Sequence, residues 1–365
     1  MTKKEKYRIG IAGAGSVALG NAAFLEDAGH EVMLWSPSGK RTAELAKGAP
    51  LLATGAVEGE FHPAIAASAQ VLCEGAEIIL LALPAYGHRV VMEALAPHLR
   101  SDHLVIISSH ASLGALYLGK LLAERGISLP IVAWGTTMTT GRAASGTEVK
   151  VNTVRARLDM CTVPVSRSAE GLAVCRALFG DRFVERDGLL AISLSNLNPQ
   201  NHLGIALGNI TRMEKGEIWS QGEHVTPLVG RLLEALDAER LAIAGALGLE
   251  VRTIFEHFHL SFHVPVASIS EMNQKMHRKG NGGIGPATAD SRYVTEDVPY
   301  GLALTVALGD LVGHPAVLHK AGIDIFSAMY GRDFTAENDL LAALNLDEVG
   351  LDDLRNAAQS GILPP

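Results

Sequence analysis

Five consecutive residues, Asn198, Pro199, Gln200, Asn201 and His202, place an imidazole in what the sequence predicts to be the first turn of a helix. Pro199 has no N–H to satisfy and presets φ for a helical start, and the Asn198 side chain is suited to cap that turn. Residues seven apart return to nearly the same angular position, so His202 and Asn209 are expected on one face. A histidine there can give and take a proton near neutrality. The positive end of the helix dipole disfavours imidazolium, and a neighbouring carboxylate favours it. The chemistry would be general acid–base catalysis. The same residues also describe a histidine packed at a domain boundary, and the stretch alone does not choose.

A second constellation would hold a dinucleotide. Tyr7 to Ala12 reads as a buried strand running into Gly13, Ala14, Gly15, Ser16, Val17 and Ala18. Gly13 allows a tight turn, Gly15 lets a pyrophosphate approach the backbone, and Ala18 lets the following helix lie close on the strand. The helix spans about Val17 to Ala28 and ends at Gly29, and Glu31 to Trp35 forms the next strand. A glycine-rich hexad alone could be a structural turn, but strand, hexad, helix, glycine and strand in this order is the dinucleotide fingerprint. An NAD site carries an acidic residue ~20 residues beyond the hexad. Here Ser36 stands there, followed by Pro37, Ser38, Gly39, Lys40 and Arg41. Two cations and two hydroxyls with no carboxylate suit a 2′-phosphate, so NADP(H) is the preferred cofactor and NAD(H) the alternative. Lys40 and Arg41 could equally be solvated residues at a helix start.

These groups need a scaffold. Further strands are expected at Leu51 to Ala56, Ile78 to Leu83, Leu104 to Ser108 and Ile131 to Gly135, with helices such as Val90 to Leu95 and Leu113 to Arg125 between them. Glu148 to Asn152 and Met160 to Val165 read as a hairpin, and Phe183 to Glu185 as a last strand. The pattern is α/β, a Rossmann-type doubly wound parallel sheet. Topology then places Pro84, Ser108, Ser109 and His110 at the cofactor end of the strands, although a loop histidine is more often structural. From about Arg186 the alternation gives way to helices, notably Pro227 to Leu247 and Val251 to Phe262. The expected division is residues 1–185 as the dinucleotide-binding domain and 186–365 as an all-α domain carrying substrate and catalytic groups.

His259 and His263 have the spacing of two metal ligands on one helix face, but no third ligand accompanies them and Phe255, Phe258 and Phe262 suggest packing, so no metal site is assigned. The loop Lys279 to Pro286 is glycine-rich but follows a helix, so it is no second nucleotide fingerprint; a mobile lid and a plain connection both fit. Ser291 to Leu302 gathers Arg292, Tyr293, Glu296 and Asp297. That cluster either caps the following helix or supplies a carboxylate to orient a histidine and an arginine for a substrate carboxylate.

Composition narrows the class. With 39 acidic against 31 basic residues the net charge is -8, which argues against general nucleic-acid affinity. Cys73, Cys161 and Cys175 lie in mostly apolar surroundings and read as buried thiols. No run is long enough to span a bilayer and no signal-peptide pattern opens the chain, so a cytoplasmic protein is expected.

Together the hexad, the Asn198, Pro199, His202 and Asn209 stretch, the Leu236 to Arg240 segment (LDAER) and Arg292 to Leu302 (RYVTEDVPYGL) resemble the octopine/nopaline (opine) dehydrogenase family, in the family's order. The resemblance implies an enzyme that joins an α-keto acid, commonly pyruvate, to the amino group of an amino acid and reduces the imine with NAD(P)H. The product is an N-(1-carboxyalkyl) amino acid, and the reverse oxidation is implied equally. It implies His202 as the acid/base and Asp297 as its carboxylate partner, with the active site between the two domains. Arg292 is the candidate for a substrate carboxylate, against a structural ion pair with Glu296. Asn209 either hydrogen-bonds substrate or cofactor or caps a local turn. A homodimer is compatible with this reading. The competing readings are a ketopantoate- or hydroxyacid-type NADP reductase, whose relatives usually employ a lysine on the helical domain, and a dinucleotide-binding sensor without catalysis.

Overall fold

The structure is a computed structural model and describes residues 6–363. It forms two compact units. The first runs to Ser193 and takes up the chain again from Asp352; the second is Leu194–Leu351. The boundary thus differs from the expected 185/186 at both ends. The apolar residues Leu189 to Ile192 are buried within the first unit. The last helix returns to that unit because Gln359 Nε2 donates to Asp187 Oδ1 at 3.0 Å and the Gly361 carbonyl lies where a Cβ on Gly119 would be. Neither contact leaves a local pattern to read.

In the first unit the strands are β1 (Arg8–Ala12), β2 (Glu31–Trp35), β3 (Leu51–Gly55), β4 (Gly59–Phe61), β5 (Ala64–Ile65), β6 (Ile78–Leu81), β7 (Leu104–Ile107), β8 (Ile131–Trp134), β9 (Thr139–Ala143), β10 (Glu148–Val154), β11 (Leu158–Val163) and β12 (Phe183–Glu185). Its helices are α1 (Ser16–Asp27), α2 (Ala43–Ala46), α3 (Ala69–Gly75), α4 (His88–Leu95), α5 (Gly114–Ala123) and α6 (Ser168–Phe179), and α7 (Gly188–Ser195) runs across the boundary at Ser193. The main sheet has the order β12-β11-β8-β7-β6-β1-β2-β5 and is parallel except where β11 meets β8. Strands β6, β7 and β8 are buried along their whole length, as unbroken runs of aliphatic residues covered on both faces must be. Strand order reverses around β1, between β2 and β6, which sets the ligand crevice at the carboxyl ends of β1 and β6.

A second sheet, β4-β3-β10-β9, packs on α1. Thr139 Oγ1 donates to Asn21 Oδ1 at 3.2 Å, and Gly20 lies against the same threonine. Covered on both sides, α1 buries residues all round its axis, which is why its sequence is small and apolar rather than amphipathic. Two strand expectations are corrected here. Leu51 to Gly55 belongs to this second sheet, pairing in parallel with β10, and not to the dinucleotide sheet. The expected hairpin of Glu148 to Asn152 with Met160 to Val165 does not form. Strand β10 pairs with β9 and β3, whereas β11 pairs with β8 and β12 in the main sheet. Alternating burial marks β10 as a strand but is silent about its partner.

The second unit is helical: α8 (Asn198–Glu214), α9 (Pro227–Ala246), α10 (Ile254–Phe262), α11 (Ile269–Arg278), α12 (Arg292–Thr295), α13 (Ala303–Leu311), α14 (Val317–Tyr330) and α15 (Asp339–Leu344). The returning helix α16 (Leu351–Ser360) follows. Leu203, Leu233, Leu236, Met272, Val298, Leu302 and Phe326 close its core. Helix α10 starts at Ile254, later than the expected Val251, because Thr253 and Glu256 form a reciprocal capping box. Between α12 and α13, Val298–Leu302 winds as a π-turn. No helix among the described residues is long and apolar enough to cross a membrane.

Candidate active site and dinucleotide site

The first unit carries the glycine turn. Gly13 has φ 140 and donates its N–H to the Trp35 carbonyl at 2.8 Å, tying β1 to β2 where both end. A Cβ at Gly13 would collide with the Ala82 carbonyl beyond β6, and the Ala18 methyl sits beside it. Gly15 is the N-cap of α1 and no side chain caps that first turn, leaving the amides from Ser16 onward to meet an anion. Above Gly15 the space is open apart from Arg41 Nη1, 3.8 Å from where a Cβ would stand. Ser36 opens a tight turn closed by Gly39 N–H to the Ser36 carbonyl at 3.0 Å, with Gly39 left-handed. Ser38, Lys40 and Arg41 are exposed on it. Pro84 is exposed just beyond β6. These residues fit a dinucleotide: glycines where close approach demands them, uncapped amides, and a cation over the turn.

His110 follows β7 but lies inside, 3% exposed, its Nε2 accepting from the Ala115 N–H at 3.2 Å. Nearby Ser109, Ser112 and Leu113 are left-handed, a strained path for non-glycine residues. Its neighbour His88 is wholly buried and donates Nε2–H to the Leu83 carbonyl at 3.1 Å. Burial pushes His88 down to about 4, and burial with its neighbour pushes His110 down to about 3. The unfolded chain therefore takes up these protons first. Stability contributed by the neutral pair is present above pH 6.5 and is lost as pH falls through about 4 and 3, the folded values of His88 and His110. By pH 5 the loss is of order 4 kcal/mol for the two together. Acid titrations followed by circular dichroism should show a shallower loss for His110→Gln than for the natural protein; parallel curves would contradict this.

The second unit brings His202 and Asp297 together. His202 Nδ1 and Asp297 Oδ2 lie 2.7 Å apart, with side chains 16% and 12% exposed. Nδ1–H donates to the carboxylate, which fixes the tautomer and leaves Nε2 without a hydrogen bond to any described residue. The approach is possible because Gly301 in the π-turn lies against Pro199 so closely that a Cβ would overlap the proline ring. Pro199 is in the first turn, as its chemistry predicts, but Asn198 is not the cap: its N–H is taken by Asn196 Oδ1 at 3.1 Å. The helix opens one residue earlier than expected, with Leu197 at the N-cap and no side chain capping it. Asn209 is buried at a kink in α8 and its Nδ2 donates to the Ile205 carbonyl at 2.9 Å. Arg292 is 56% exposed and 3.2 Å from Glu296, so part of its guanidinium is paired and the rest is open.

Beneath α8 runs a buried polar network. Gln200 Nε2 donates to Asp237 Oδ1 at 2.9 Å, Arg240 Nε and Nη2 reach the same oxygen at 3.0 and 2.6 Å, and the Ile254 N–H takes Oδ2 at 2.8 Å. Arg240 also donates to the carbonyls of Leu194 and Arg252. This gives the LDAER segment a role in fixing the turn that carries His202. Sequence reasoning gave Gln200 no role and missed Gln221, and it left Tyr293 without one; α12 ends at Thr295, so no helical period links Tyr293 to Asp297.

Residues 185–330 match the family model described as NAD/NADP octopine/nopaline dehydrogenase, alpha-helical domain. Residues 8–111 match one described as NADP oxidoreductase coenzyme F420-dependent. The chain is 30% identical over 365 residues to an opine dehydrogenase of Arthrobacter sp. (strain 1C), covering 97% of this chain and 99% of that protein. Among solved structures it is similar to octopine dehydrogenase with NADH and L-arginine (TM-score 0.81, 16% identity, 96% of this chain and 98% of that one). The complex of that enzyme with NADH and pyruvate gives 0.79, at 16% identity and the same coverage. Yersinopine dehydrogenase with bound NADP+ gives 0.69 at 15% identity, over 97% of this chain and 98% of that one.

Proposed function

The chain belongs to the opine dehydrogenase family, and from that premise we propose that it condenses a pyruvate-like α-keto acid with the amino group of an amino acid, using NADP(H), with His202 as acid and base. It is an NAD(P)-dependent oxidoreductase acting on CH–NH bonds. A bound nicotinamide supplies the hydride. The observation that carries the reading of the site is the His202–Asp297 hydrogen bond with Nε2 left over.

In the reductive direction the charged His202 donates its Nε2 proton to the hydroxyl of the carbinolamine, which leaves as water as the nitrogen lone pair forms the C=N bond, giving the protonated imine that accepts the hydride, with His202 left neutral. In the oxidative direction the neutral ring accepts the proton of the secondary amine at Nε2 as the C–H bond is given up. Asp297 accepts from Nδ1 throughout, holding the tautomer and stabilising the charged ring. Arg292 offers the unpaired part of its planar fork to a substrate carboxylate. Asn209, whose amide is already bonded within its own helix, serves the bend in α8.

The NADP(H) preference rests on the turn after β2. Ser36 leaves no carboxylate to repel a 2′-phosphate, and Ser38, Lys40 and Arg41 present hydroxyls and cations from an exposed turn. Among known relatives by fold, octopine dehydrogenase was solved with NADH and yersinopine dehydrogenase with NADP+, so the fold accommodates both.

One experiment tests reaction and cofactor together. The protein is incubated with pyruvate, an amino-acid panel and either NADPH or NADH, and products are read by mass spectrometry. The expected result is a product equal in mass to amino acid plus pyruvate minus one oxygen, with kcat/KM at least about tenfold higher for NADPH, the difference that ~1.4 kcal/mol of phosphate binding makes. Oxidation of NADPH by pyruvate with no amino acid present would point to a hydroxyacid reductase. A preference for NADH would overturn the cofactor assignment.

A further inference from the structure

The imidazole of His202 is held by more than Asp297. Its ring and that of Tyr293 lie face to face, centroids 3.5 Å apart and planes within 9°. The Tyr293 hydroxyl donates to Gln221 Oε1 at 2.7 Å. Gln221 is itself fixed through the backbone. Its N–H donates to the Gly283 carbonyl at 3.1 Å, Gly222 N–H to the Gly282 carbonyl at 2.8 Å, and Gly285 N–H to the Trp219 carbonyl at 2.9 Å. Trp219 Nε1 closes the segment onto the Pro286 carbonyl at 3.0 Å, and a Cβ on Gly285 would overlap the Trp219 indole. The glycine-rich loop thus has work: only glycines let it lie flat on Trp219 to Gly222.

We infer that Tyr293 is a positioning residue, anchored through Gln221 to the loop Lys279 to Pro286, which fixes the plane of the His202 ring. A single hydrogen bond through Nδ1 fixes one point of the imidazole and leaves its plane free to swing about that bond. A flat partner at van der Waals distance on one face removes the swing, so the Nε2 lone pair keeps one direction. The phenol suits this role because burial, with the Asp297 charge, pushes it up to about 12, so it stays a neutral hydrogen-bond donor. This inference rests on reading His202 as the acid/base and adds the device that aims it.

The test is made on the full-length protein with NADPH. Proton NMR, with His202→Gln to assign the signal, should find the His202 ring protons shifted upfield by the aromatic face, with cross-relaxation to the Tyr293 ring. The shift should vanish in Tyr293→Leu. In the pyruvate and amino-acid assay Tyr293→Leu should lower kcat about 10- to 100-fold with KM changed less than threefold, the sensitivity expected for a misaimed proton donor. Tyr293→Phe, which keeps the face and loses the anchor, should recover kcat to within about threefold of the natural protein, a small residual loss for one hydrogen bond. Ordinary His202 ring shifts and no cross-relaxation in the natural protein would overturn the inference, even if Tyr293→Leu does not fold. Equal losses in the Leu and Phe variants would overturn it too, because the hydroxyl would then be what matters. If His202→Ala keeps full turnover, the acid/base reading fails; if His202→Ala is inactive while Tyr293→Leu is fully active, only the positioning role fails.

Discussion

His202→Ala should lower kcat by a factor of about 100 or more while NADPH binding, measured by fluorescence titration, stays within about threefold, because the substitution removes a proton donor and leaves the cofactor's contacts alone. The residues that fit the dinucleotide, Gly13, Gly15, the first turn of α1 and the turn at Ser36 to Arg41, all belong to the first unit. The histidine belongs to the second and is bonded there to Asp297. The substitution also strands a partly buried carboxylate, so the protein's melting temperature should be measured alongside. Turnover near that of the natural protein would end the assignment of His202 as acid and base.

Asp237→Ala should be the most damaging single change to stability. Asp237 and Arg240 are each 2% exposed, and the carboxylate takes hydrogen bonds from Arg240, Gln200 and the Ile254 N–H. Removing it leaves a guanidinium buried without its counter-charge and two donors unsatisfied. Breaking one side of such a pair destabilises by about 3–5 kcal/mol, which for a unit of this size lowers the melting temperature by roughly 6–20 °C. Scanning calorimetry measures it. The double variant Asp237→Leu with Arg240→Met, which removes both charges and fills the space, should regain much of the loss. A melting temperature within 2 °C of the natural value for Asp237→Ala would show that the network carries little. Because Gln200 precedes His202 by two residues, the single variant should also lose turnover before it loses fold.

What the sequence revealed was local. Strand β1, the hexad, α1 and β2 lie within about thirty residues and each has its own period or punctuation, so their order was readable, Glu31–Trp35 to the residue. Leu51–Gly55 was readable as a strand but not as part of a second sheet, since its partner Glu148–Val151 stands almost a hundred residues on. The failed hairpin has the same cause. At the site, the helix start at Pro199 followed from proline chemistry, whereas the pairing of His202 with Asp297 came only from likeness to a family, because no spacing links positions 95 apart. Tyr293 and Gln221 escaped for that reason too. Topology alone misplaced His110: it follows a strand at the cofactor end, yet its ring turns inward to hold the Ala115 amide.

The return of α16 to the first unit inverts the order of completion during synthesis. The ribosome makes the body of the dinucleotide-binding unit first, then the roughly 160 residues of Leu194–Leu351, and only afterwards the last helix and the Gly361 after it, which closes on Gly119 and Val163. At 5–20 residues per second that interval is about 10–30 s. Through it the helical unit can finish as one uninterrupted segment while the earlier unit waits with one face uncovered. The nascent chain would therefore present its vulnerable surface to chaperones on the part begun first, at Gly119 and Val163, and a chain stopped short of Asp352 would never cover it.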